Sequence, residues 1–242
     1  MKLNKLIVAA AITIFCSNLC TAQKSLDLEE VLSGRLIQTK GIGAMNWMKD
    51  GERYSRLERN ETDGGMDVVA YRAKDNAREV IIPSSMFINP LTGKHIGMGR
   101  LSWSNDNDKV MIFNNTKRVW RYDTRGDYWV LSLQDGSLRQ LGKGLPESSM
   151  MFAKFSPDGT RVAYVFDNNI YVEDINSGKR TQLTHDGSRT IVNGTFDWVY
   201  EEEFSCRDGF RWSPDGKYIA YWQSDTEGTG VFDIINNVDS VY

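Results

Sequence analysis

The chain has 242 residues, 40% hydrophobic and 25% charged, which fits one or two globular domains and excludes a long disordered chain. Its formal net charge of −3 excludes the basic surface that a nucleic-acid partner demands. With two histidines, His95 and His185, and three scattered cysteines, Cys16, Cys20 and Cys206, neither a metal site nor a cofactor is expected.

The first 22 residues have the pattern of a secretory signal. Lys2 and Lys5 precede an apolar run of ten, Leu6 to Phe15, against the about 20 residues a membrane-spanning helix needs. Cys20-Thr-Ala22 is a small-residue cleavage site, so the protein is expected to be exported to the periplasm or beyond the cell. Phe15 and Leu19 stand where a lipoprotein signal needs a small residue, which argues against lipidation. The rival reading is a buried N-terminal helix. Cleavage removes two lysines and no acid, taking the net charge to −5, and leaves Cys206 as the one cysteine. A buried, small hydrophobic role is expected for it. A nucleophile needs a basic partner, and no histidine lies nearby in sequence.

The rest of the chain repeats. Leu101-Ser-Trp-Ser-Asn-Asp-Asn107, Phe152-Ala-Lys-Phe-Ser-Pro-Asp-Gly159 and Phe210-Arg-Trp-Ser-Pro-Asp-Gly216 share one pattern, with a degenerate copy at Met45-Asn-Trp-Met-Lys-Asp-Gly51. The aromatic before each turn falls at Trp47, Trp103, Phe155 and Trp212. Pro at the second turn position and Gly at the fourth suit a type I turn. The flanks alternate and are β-branched or aromatic, as in Arg161-Val-Ala-Tyr-Val-Phe166. Two further strands, Asn169 to Glu173 and Lys179 to Leu183, complete a four-stranded unit. In the unit before, Asp127 to Leu133 and Leu138 to Leu141 play the same parts. Such an array predicts an all-β fold, a β-propeller of four-stranded blades. Residues 45–242 hold about four blades, the last without outer strands, so the chain is expected to be the front part of a longer protein.

One segment departs from the repeat. In Thr195-Phe-Asp-Trp-Val-Tyr-Glu-Glu-Glu-Phe204, Asp197 is placed to cap a short helical turn carrying Glu201, Glu202 and Glu203. The bland reading is a solvated acidic loop. The sharper one is a cation site, because carboxylates against aromatic walls bind an ammonium through charge-assisted hydrogen bonds.

Asp197-Trp-Val-Tyr-Glu-Glu-Glu203 followed by Phe210-Arg-Trp-Ser-Pro-Asp-Gly216 closely resembles the dipeptidyl peptidase IV family of serine peptidases. The repeats and Lys117-Arg-Val-Trp-Arg-Tyr122 extend the resemblance over most of residues 45–242. It implies that residues 23–242 are the N-terminal region of an eight-bladed propeller that caps, in cis, an α/β-hydrolase domain absent from this chain. It implies an exopeptidase releasing dipeptides with Pro or Ala second, and peptide substrates with a free N-terminus; a homodimer is left open. Glu202 and Glu203 take the family's grip on the substrate α-amine, and Arg121 its contact to the substrate backbone carbonyl. Glu201 takes no amine contact. A peptide N-terminus is an ammonium at neutral pH, and fixing it at a set distance from a nucleophile makes an exopeptidase.

No Gly-x-Ser-x-Gly elbow occurs in the chain, so no catalytic residue is assigned here and 1–242 alone is expected to be inactive. His185, in Thr184-His-Asp-Gly187, is expected to be structural. Ser205-Cys-Arg-Asp-Gly209 differs from better-known animal members, which bears on fine specificity. One other reading stays open, a non-catalytic propeller that binds a partner; a related prolyl tripeptidyl peptidase is the nearest cousin but is not expected to keep the intact Trp-Val-Tyr-Glu-Glu-Glu signature. A glycosidase is disfavoured, because its carboxylates sit about 5 to 9.5 Å apart on separate elements.

Overall fold

The computed structural model describes residues 27–34, 41 and 43–233. The export signal expected over residues 1–22 lies outside them. Two compact units divide the chain, Met1–Ile42 and Gly43–Tyr242. In the first, the described residues include one short helix, α1 (Leu28–Leu32), which buries no side chain.

The second unit is predominantly all-β and built of antiparallel sheets. Strands β1 (Asn46–Trp47), β2 (Arg53–Arg59), β3 (Met66–Arg72) and β4 (Arg78–Ile82) pair in chain order as one meander. Strands β5 (Arg100–Trp103), β6 (Lys109–Val119), β7 (Tyr122–Ser132) and β8 (Leu138–Gln140) form the second. Strands β9 (Met150–Phe155), β10 (Arg161–Phe166), β11 (Asn169–Asp174) and β12 (Arg180–Gln182) form the third. Arg125 and Gly126 of β7 pair with Met151 and Met150 of β9, joining the second and third edge to edge. Beyond them, β13 (Ile191–Asn193) pairs with β16 (Gln223–Asp225), and β14 (Phe210–Trp212) with β15 (Ile219–Tyr221). The sequence reading gives this last unit no outer strands. The structure adds β16, which follows β15 after Trp222 alone and pairs backwards with β13.

Alternation along the strands explains how the meanders stack. Successive side chains point to opposite faces. Val110 and Ile112 of β6, with Trp129 and Leu131 of β7, pack against Val68 and Ile82 of the first meander. The residues between them, Met111, Phe113, Tyr128 and Val130, face the other way and meet Val162 and Tyr164 of β10. Their neighbours Ala163 and Val165 meet Phe210 of β14. Both faces of the second and third sheets are therefore buried, each side chain contributing about 1.5–3 kcal/mol.

The repeated turns align these sheets. At each, a serine hydroxyl donates to the aspartate two residues on: Ser104 to Asp106 and Ser156 to Asp158 at 2.5 Å, Ser213 to Asp215 at 2.6 Å. The fourth position is left-handed, at φ 66° for Gly159 and Gly216 and 62° for Asn107. That requirement explains why glycine, and once asparagine, stands there. Neighbouring turns touch in series: Lys49 N–H donates to Asn107 Oδ1, Asn105 Nδ2 to the Pro157 carbonyl, and Arg161 Nη2 to the Gly216 carbonyl.

Lys154 of β9 ties the third meander to the last unit. Its ammonium pairs with Asp208, donates to the Phe210 carbonyl at 3.2 Å and sits 3.5 Å from the Phe210 ring centroid. Burial outweighs the attraction of Asp208 and lowers its pKa to about 8. Between that value and 10.5, its ordinary value, the unfolded chain holds a proton that the folded chain has released. Folding stability therefore rises with pH across this window, with a slope of at most about 1.4 kcal/mol per pH unit. Urea midpoints are expected to climb from pH 8 to pH 9.5 in the parent protein and to stay level in Lys154→Met. Equal slopes in the two would remove Lys154 as the cause.

Candidate functional site

Two elements leave the sheets and meet. The first is the far half of the β6–β7 hairpin. Its register shifts between Asn114 and Lys117, where Asn115 takes φ 45°, and such a bulge bends and re-aims the arm beyond it. Gly126 permits the bend, since a Cβ there would lie 2.4 Å from the Phe113 ring. Val119 pairs with Tyr122, so Trp120 and Arg121 form a two-residue tip. Trp120 has φ 60°, an outlier for a bulky residue at a position where hairpins favour glycine.

The second element is the helix α2 (Trp198–Phe204). Asp197 caps it by accepting from the Tyr200 N–H at 3.0 Å. Ser205, left-handed at φ 54°, ends it, and the Cys206 N–H returns to the Tyr200 carbonyl at 3.1 Å. The excursion is pinched at its base. Gly209 N–H donates to the Gly194 carbonyl at 2.9 Å, Thr195 bridges Asp208, and Phe196 N–H donates to the Arg207 carbonyl at 3.1 Å. A Cβ on Gly209 would come within 2.9 Å of the Gly194 backbone, so glycine serves close approach here. Beneath the helix, Tyr200 stacks on Phe196 with centroids 5.2 Å apart and lies 5.5 Å from Trp222.

Successive helical residues are turned by about 100°, so three adjacent glutamates cannot share a face. Glu202 and Glu203 join Trp120, Arg121 and Trp198 around a cleft of ≈ 430 Å³. Arg121 Nε lies 2.7 Å from Glu202 Oε1, yet that oxygen accepts no hydrogen bond. The contact is an ion pair whose N–H is misdirected. Arg121 is largely exposed and Glu202 is not, with side-chain exposures of 71% and 22%. Among the described residues no cation lies within ion-pair distance of Glu203. Glu201 turns away, its Oε1 3.7 Å from Arg207 Nε. The arrangement is a carboxylate pair, one member free of a protein cation, between two exposed tryptophans.

A larger cavity of ≈ 1040 Å³ lies beside it, lined among others by Tyr122, Asp123, Cys206, Arg207 and Asp208. Its carboxylates are already engaged, Asp123 with Arg118 at 3.6 Å and Asp208 with Lys154 and with Arg211 at 3.1 Å. The smaller cleft is therefore the candidate cation site. Cys206 is half-buried and lines the larger cavity rather than a core cluster, because it lies just past the end of α2, on the excursion that leaves the sheets. His185 is exposed in its turn, and His95 lies 3.7 Å from Asp63, far along the chain from both elements.

Residues 104–242 match the family described as Dipeptidyl peptidase IV (DPP IV) N-terminal region. The chain belongs to this family. The match takes in the hairpin arm, α2 and the repeats from the second turn onward. Relatives named "Probable dipeptidyl-aminopeptidase B" include one from Aspergillus terreus, 32% identical over 213 residues, 84% of this chain and 23% of its own length. Another, from Podospora anserina, is 38% identical over 131 residues, 54% of this chain and 14% of its own. The crystal structure of Porphyromonas gingivalis dipeptidyl peptidase 4 is similar with a TM-score of 0.72 and 26% identity, over 85% of this chain and 28% of that one. This chain thus spans about a quarter or less of the length of its curated relatives. The homology assigns it to the prolyl-oligopeptidase type of serine peptidase as an N-terminal, propeller-like region.

Proposed function

We propose that this chain is the N-terminal propeller portion of an exported dipeptidyl peptidase IV-like serine exopeptidase, and that its part is to hold the substrate's free α-amine. The carrying observation is the cleft itself: Glu202 and Glu203 beside Arg121, with Glu203 free of any protein cation among the described residues. A peptide ammonium supplies the missing charge, and its three donors match two carboxylates. On binding, it competes with Arg121 for Glu202, which leaves the guanidinium to meet the substrate's first carbonyl. Trp120 and Trp198 wall the cleft and offer ring faces beside the ammonium. The cleaving triad belongs to an α/β-hydrolase domain in cis, and X-Pro or X-Ala dipeptides are released. Meanders stacked through both faces, with their turns in series, support a propeller as the scaffold.

The test uses the full-length protein and a peptide with Pro second, followed by mass spectrometry. The expected result is loss of the N-terminal dipeptide from the free peptide and none from its N-acetylated form. Equal cleavage of the two overturns the amine-holding role; no cleavage of either overturns the peptidase reading and leaves the non-catalytic propeller.

A further inference from the structure

The segment Ser205-Cys-Arg-Asp-Gly209 has no part in the function proposed above, yet it places a guanidinium between the two elements that make the cleft. Arg207 Cζ lies 3.5 Å from the ring centroid of Tyr122, the residue after Arg121 on the hairpin tip. On its other side, Arg207 Nε faces Glu201, the residue before Glu202, at 3.7 Å. Glu201 is 11% exposed, and the facing atoms of Glu201 and Arg207 are both cut off from solvent.

Two bridges therefore span the tip and the helix. The pair of Arg121 and Glu202 is exposed at its arginine end, hence screened, and an incoming ammonium competes for it. It cannot fix the cleft's width while substrate binds. The bridge from Tyr122 through Arg207 to Glu201 is cut off from solvent where Arg207 meets Glu201, and none of the three residues lines the cleft. It also starts from a fixed base, because the Arg207 backbone is tied to Phe196 at the pinch. A planar guanidinium can lie flat on a ring while its N–H edge faces a carboxylate, a fixed fork geometry that a lysine ammonium, a point charge on a flexible stem, does not reproduce.

We infer that Arg207 is a positioning residue of the amine site: stacked on Tyr122 and facing Glu201, it sets the distance of Arg121 from Glu202 and Glu203. This rests on the amine-holding reading. The substrate class affected is peptides with a free, charged N-terminus. Misplacing a binding group by about 1 Å costs on the order of 100-fold, so a loosened tip acts on substrate affinity first.

The experiment measures kcat and KM of the full-length protein on a Gly-Pro anilide, together with thermal melts. Arg207→Ala is expected to raise KM about 10- to 100-fold with kcat within about twofold, and Arg207→Lys to recover only part of that loss. Tyr122→Leu, which removes the ring and keeps apolar bulk, should raise KM likewise and serves if Arg207→Ala does not fold. A purely structural role would lower the melting temperature and the active fraction, hence apparent kcat, with KM unchanged. Unchanged KM in Tyr122→Leu and in any folded Arg207→Ala overturns the inference, whatever happens to kcat. Glu203→Gln is the reference: if it also leaves KM unchanged, the amine-holding reading has failed; if it raises KM while the Arg207 and Tyr122 variants do not, only the role of Arg207 has failed.

Discussion

Replacing Glu203 by Gln in the full-length protein is expected to lower kcat/KM for a free-amine dipeptidyl substrate about 10- to 150-fold. The change keeps the shape and removes a charge. A hydrogen bond to a charged group contributes about 1.5–3 kcal/mol, and about 1.4 kcal/mol is a decade. Glu202→Gln should show a loss of similar size with a different coupling. Glu202 also faces Arg121 at 2.7 Å, so removing its charge frees the arginine, and the combined Arg121→Met, Glu202→Gln variant should lose less than the sum of the two single losses. Glu203 has no such partner among the described residues, and its loss should add to that of Arg121→Met. Helix geometry offers Glu201 as a silent control, but its contact with Arg207 makes it a poor one; the exposed Glu61 is better. N-acetylated substrate should show no difference between parent and Glu203→Gln, because no ammonium remains. A loss below threefold for Glu203→Gln, or an equal loss on both substrates, contradicts the assignment.

The parts of this fold that bury a face were legible in the sequence, and those that bury nothing were not. Strand β10 begins and ends where the alternation of Arg161-Val-Ala-Tyr-Val-Phe166 says, because both of its faces enter a core. The Ser-Pro-Asp-Gly turns announced themselves through residues chosen for their backbone angles, and Asp197 through its capping side chain. The hairpin arm gave no such signal. The sequence reading starts its second strand at Asp127, whereas β7 begins at Tyr122. The added residues, Tyr122 to Gly126, are mostly exposed, so no apolar period marks them. The arm is nonetheless what carries Arg121 to α2. Arg207 was missed for another reason. Its partner Tyr122 is 85 positions away in the chain, and a lone arginine after a helix is compositionally ordinary. Gly209, too, has the look of turn punctuation, while its reason is contact with the backbone of Gly194.

The largest stability loss is expected at Tyr164, where the seam between the second and third meanders combines packing with a buried polar link. The side chain is fully buried, its ring stacks on Tyr171 at 5.9 Å, and its hydroxyl donates to Glu173 Oε2 at 2.9 Å. The same oxygen accepts the Gly142 N–H at 2.9 Å, so Glu173 of β11 fastens the loop after β8 to the third sheet. Burial raises the pKa of the Tyr164 hydroxyl, which keeps it a donor through the neutral range. Tyr164→Ala removes ring and hydroxyl and should cost about 3–5 kcal/mol, a large share of a typical total of about 5–15 kcal/mol. Tyr164→Phe keeps the ring and leaves a buried carboxylate short of one donor, about 1–3 kcal/mol. Glu173→Gln can still accept from both groups but forfeits the charge, and should fall nearer the Phe variant than the Ala variant. Urea unfolding followed by tryptophan fluorescence ranks the three. If Tyr164→Phe costs as much as Tyr164→Ala, the hydrogen bond to Glu173 dominates the seam; if it costs nothing, Glu173 is held through Gly142 and packing alone joins the sheets here.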